Sequence, residues 1–146
     1  MNSRALRAAG PAILVAAALV AIVWALAYGG GAAPLVLADP GPVVRWGLPL
    51  MTMAVNLSAA GMCGSLVVAL FALRAGEKPF EIALNTASIS AAVFTVASAL
   101  VGYLSYLDFS AAKPSLDSTF GAQLGSWLVQ TEAGRTWLIT TIAGAA

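Results

Sequence analysis

The chain has 146 residues, of which 60% are hydrophobic and 9% charged, with a mean hydropathy of +0.90 and a formal net charge of +1. A water-soluble domain carries about 25% charged residues to cover its surface, so seven Lys/Arg and six Asp/Glu exclude an ordinary soluble fold. The small net charge and the lack of a basic run exclude a nucleic-acid surface.

What remains is an all-α integral membrane protein, and its charge-free gaps locate the spans. The first gap, 31 residues between Arg7 and Asp39, holds one helix of the roughly 20 apolar residues needed to cross hydrocarbon. Helix 1 is expected at about 11–28. Arg4 and Arg7 before it, and Ala25-Leu26-Ala27 near its end, also fit a secretory signal with a small-x-small cleavage site. Its apolar stretch is longer than a usual signal core, which favours a retained helix. Residues 29–42 are rich in Gly, Ala and Pro and read as a connector.

The next gaps, 28 residues between Arg45 and Arg74 and 26 between Glu81 and Asp108, predict helix 2 at 47–73 and helix 3 at 82–107. A short link, 74–81, joins them. In the 108–135 loop, Pro114 breaks the chain and Asp117 or Ser118 can cap a helix. Phe120, Leu124, Trp127 and Leu128 then share a face. That pattern predicts an interfacial helix over 118–131, though a loop with some apolar content fits as well. Residues 136–146 carry no charge and cover about 16 Å as helix, about half a bilayer. They read as the start of a fourth spanning helix, and the whole as a fragment of a larger helical bundle.

Positive charge before helix 1 places the N-terminus in the cytoplasm of a multi-pass protein. Arg4, Arg7, Arg74 and Lys78 are then inside, and Arg45, Lys113 and Arg135 outside. Every Trp and Tyr (Trp24, Tyr28, Trp46, Tyr103, Tyr106, Trp127, Trp137) falls on the outer side, where amphipathic rings prefer the headgroup level. The expected partners are the lipid bilayer and other transmembrane helices. Small residues at four-residue spacing, Gly61/Ser65 on helix 2 and Ser98/Gly102 on helix 3, predict close helix contact.

Groups able to carry chemistry are few. The chain has no His, no carboxylate inside a span, and no phosphate-binding or nucleophile motif, so no catalytic residue is assigned and a non-enzymatic role is expected. Glu132 and Arg135 are three apart, the spacing of an exposed helical pair. Met51, Met53, Met62 and the single Cys63 gather on helix 2. Thioether and thiolate groups are soft ligands that select Cu(I). At 100° per residue Met51 and Met62 share one face, and Met53, Asn56 and Cys63 another. Met and free Cys are also ordinary core fillers. Asn56, a carboxamide in mid-span, is expected to bond another helix or line a polar path. Transport of another small solute past Asn56 and the helix 3 serines, or simple helix packing as a non-catalytic subunit or scaffold, fits the same residues.

The run Thr131-Glu132-Ala133-Gly134-Arg135-Thr136-Trp137-Leu138 resembles the T-x-x-G-R-x-W-L start of a membrane helix in the copper resistance protein D (CopD) family. The version it resembles comes from high-GC bacteria, where the region is often fused to a cytochrome c oxidase assembly domain. Val44-Arg45-Trp46-Gly47-Leu48-Pro49-Leu50 and the order of loops and helices over 40–146 are also similar. The resemblance implies a longer protein of the bacterial plasma membrane that handles copper ions, in transport, resistance or supply to an oxidase. The sequence departs from the pattern at Asn56, where a His is expected.

Overall fold

A computed structural model of the protein describes residues 3–37, 39–111, 114–115 and 117–146, with side chains from residue 9 onward. Lys113 and the Arg4 and Arg7 side chains, used above for orientation, lie outside that description. The described residues are all-helical, in five elements: α1 (Ser3–Tyr28), α2 (Pro42–Ala72), α3 (Lys78–Ser110), α4 (Ser118–Gln130) and α5 (Glu132–Ala145). Three stretches are long and apolar enough to cross a membrane: Ala9–Tyr28, Pro42–Ala72 and Lys78–Ser110.

The spans fall where the charge-free gaps put them, but the helices overrun the gaps. A gap marks where side chains tolerate hydrocarbon; backbone hydrogen bonding continues past it into polar ends. Helix 2 starts at Pro42 rather than 47, because proline in a first turn lacks only an N–H that would be unbonded there anyway. Arg45 is then inside the helix, where Asp39 holds it: Nη1 donates to both carboxylate oxygens at 2.7 Å. α1 begins at Ser3 and runs through Pro11, the residue expected to open it. α3 gains a turn at its start and three residues at its end, stopping where Ala111 turns left-handed at φ 48°.

α2 and α3 form an antiparallel hairpin around a seam. Val44, Leu48, Met51, Val55, Ser58, Met62, Ser65 and Ala69 alternate in steps of four and three, the spacing that keeps one stripe facing a neighbouring helix. Val44, Val55, Ser58 and Ala69 are buried there. Met51 and Leu48 pack against Val101 and Ala97 of α3. The small residues do what their spacing predicts at Gly61, where a Cβ would lie 2.8 Å from Ser90 Oγ. The same holds at Gly102, where one would lie 3.1 Å from Trp137 Cβ of α5. α5 is pinned to α3 a second time at Gly144, beside Phe94 and Thr95. Between these two contacts Ser98 is fully buried, and its hydroxyl has no hydrogen-bond partner.

A helix does form where the sequence pattern predicts one: α4 is one residue shorter than 118–131. Its apolar face does not lie free. Trp127 is buried with Val44, Leu104, Tyr106 and Leu107, and Phe120, Leu124 and Leu128 pack around them. The rings meet edge-on, Tyr106–Phe120 at 5.5 Å. α4 therefore closes the end of the hairpin where α2 starts and α3 stops. Asp117 sits at the cap position but makes no side-chain cap bond; its carboxylate accepts from Ser115 Oγ at 2.6 Å.

By contrast α1 is peripheral. None of its span is buried, and Ile13, Leu14, Val20 and Trp24 are exposed.

The Asp39–Arg45 pair gives a first prediction. Arg45's side chain is only 12% exposed, so Asp39→Asn removes a carboxylate from a largely desolvated guanidinium. The 29–41 connector should loosen by about 1.5–3 kcal/mol, the worth of hydrogen bonds to a charged group. Limited proteolysis reads this as several-fold faster cleavage within the connector; unchanged cleavage would mean the pair does not hold it.

Candidate functional site on helix α2

Met51, Met53, Asn56, Met62 and Cys63 all lie on α2, but not together. Met51 is on the seam and packs into both core clusters. Met62, eleven positions on, falls on the same seam. Asn56, Ala60, Cys63, Gly64 and Val67 are exposed, and at 100° per residue they form a face opposite the seam. Met53 falls between Ala60 and Gly64 on that face and is half-buried. Met51 and Met62 are thus half-buried on the seam side, and Asn56 and Cys63 exposed on the other. In consequence a Met51 sulfur and the Cys63 sulfur point to different neighbours.

Among the described residues no group of three His, Cys, Asp or Glu converges as a metal site would. A copper site using any of the four sulfur residues would therefore take its remaining ligands from facing helices. Asn56 stands 14 residues from the start of α2 and 16 from its end, about 21 and 24 Å along the axis, so it is at mid-span. Several hydroxyls in the helices bond back to their own backbone, as Thr52 does to Leu48 O at 2.8 Å and Thr95 to Ala91 O at 2.9 Å. An Asn has no such outlet of equal quality, and among the described residues Asn56 makes no hydrogen bond.

The residues of the T-x-x-G-R-x-W-L run form the elbow between α4 and α5. Thr131 alone separates the helices; its N–H and hydroxyl both donate to Trp127 O, and its oxygen accepts from Gly134 N at 3.0 Å. Gly134 is buried, with Leu128 Cα only 2.7 Å from where a Cβ would be. Trp137 fills the space over Gly102. Glu132 and Arg135 do not form the expected pair. Arg135 Nε instead donates to Val129 O, because the carbonyls ending α4 lack helical partners and a nearby cation satisfies one. α5 accordingly begins at Glu132, not at 136.

Sequence reasoning missed the Asp39–Arg45 lock. Its Arg45, with Pro40, Gly30, Gly31 and Asp108, lines a recess of about 370 Å³ at the aromatic-rich end. Arg45 Nε is buried there without a partner. The available signal was the turn sequence Asp39-Pro40-Gly41 six residues ahead of Arg45; in the structure Gly41 N donates to Asp39 Oδ1 at 3.1 Å.

These features define the class: an all-helical protein with three helices of membrane-spanning length and character. No family model, curated protein or solved structure matches the chain.

Proposed function

We propose that this chain is a membrane-embedded component of copper handling, in the plasma membrane of a bacterium, with its N-terminus in the cytoplasm. The observation that supports the reading is the elbow. Thr131, Gly134, Arg135 and Trp137, four of the fixed letters in the CopD-like run, each have a separate structural task there. Those tasks give the run a reason to be kept as a unit, which supports the reading. Copper is the cargo in this reading. Soft sulfur groups on α2 offer it transient contacts, and facing helices complete each coordination shell.

The test is copper accumulation by cells making the protein with Met51, Met53 and Met62 changed to Leu and Cys63 to Ser. Accumulation should fall to near background while the protein remains at normal level in the membrane. Full retention would remove α2 from any copper path.

A second reading, a non-catalytic subunit or scaffold, draws on the exposure of α1. A span with no residue buried within the chain is suited to packing against another protein. That reading predicts normal copper accumulation in the same variant.

A further inference from the structure

The face of α2 opposite the seam holds a polar group that hydrocarbon cannot satisfy. Water is absent at that depth, and a carboxamide with two donors and an acceptor needs partners from protein. The exposed Asn56 has none among the described residues. We propose that this face docks on the same face of a second copy of the chain, with the two α2 helices parallel and the two Asn56 amides bonded across a two-fold axis.

The choice of occupant follows from the chemistry of the amide. It is self-complementary: in a parallel pair each C=O accepts from the other's N–H, so an identical face meets the need without any further group. A single buried Asn is a known means of fixing the register and number of paired helices. The surroundings fit close approach. Ala60 and Gly64, four apart and exposed, lie on the same face as Asn56, and a Cβ at Gly64 would meet nothing within 4 Å. Those residues contrast with Gly61, which is already filled by Ser90 of α3. In the proposed pair Cys63, seven positions and about 10 Å along the axis from Asn56, comes close to its copy. The inference stands apart from the copper reading and needs no metal.

The experiment is oxidative cross-linking of the native Cys63 in isolated membranes. A disulfide-linked dimer is expected. Asn56→Leu should lower its yield about tenfold at limiting protein density, within the range that interhelical hydrogen bonds in membranes support. Asn56→Gln, which keeps the amide, should restore much of it. As a control, Cys63→Ala with Val96→Cys puts the thiol on the exposed side of α3 and should not link. A wild-type chain that stays monomeric, a yield unchanged by Asn56→Leu, or equal linking from position 96 would each overturn the proposal; the first would turn attention to a different protein as the occupant.

Discussion

Gly134→Val is expected to break the α4–α5 elbow. The Cβ it adds would lie 2.7 Å from Leu128 Cα and 2.9 Å from Thr131 Oγ1, and would press on the Trp127 carbonyl. Backbone atoms cannot move aside as the end of a long side chain can. Over-packing usually costs about 1–3 kcal/mol, and a clash with backbone belongs at or above the top of that range. The cost does not stop at the glycine. Displacing α5 from α4 also frees Thr131 from its cap and lifts Trp137 off Gly102. The measurement is protease sensitivity of 118–135 in detergent, with retention of the α2–α3 hairpin as the internal reference. Gly134→Ala should show the same defect, less completely. Wild-type resistance in both variants would mean that the elbow geometry is wrong.

Trp127→Ala should have an effect of similar size by the opposite route, the emptying of a packed site. Trp127 is 6% exposed, and its ring centroid lies 5.7 Å from that of Tyr106 and 6.5 Å from that of Phe109. Truncating a buried Trp costs about 3–5 kcal/mol. Because α4 touches the hairpin chiefly through this face, the loss should be local. Hydrogen exchange is expected to rise across α4 while the middles of α2 and α3 stay protected. Trp127→Phe should retain most of the protection. Uniform loss throughout the chain would instead make Trp127 a support of the whole bundle.

The spans and the all-α class were legible because membrane insertion acts on composition, which a sequence displays directly. The α4 face was legible for a related reason: Phe120, Leu124, Trp127 and Leu128 repeat at helical spacing. Helix ends were less so. Pro42 and Pro11 look like boundaries in isolation, yet one starts a helix and the other lies inside one. Their roles depend on whether the preceding residues can keep helical hydrogen bonds. Arg135 shows the same limit on a side chain. Spacing offered it Glu132, whereas the unbonded carbonyl of Val129, brought near only by the elbow, took its Nε. On α2 the two faces could be read from angles, but which of them met α3 could not. That was decided by the match of the Val44-to-Ala69 seam to α3.

The single-residue joint between α4 and α5 has a mechanical consequence. With Thr131 bonded to both sides and Gly134 seated against Trp127 and Leu128, there is no slack for the two helices to move separately. If α5 shifts against α3, the joint would carry α4 with it as a lever whose fulcrum is the elbow. α4 is 13 residues long, so its far end stands about 18 Å from that fulcrum. A tilt of α5 by about 10° would then sweep the start of α4 through about 3 Å, on that same arm length. A small change of angle deep among the helices is thereby converted into a displacement at the edge of the bundle.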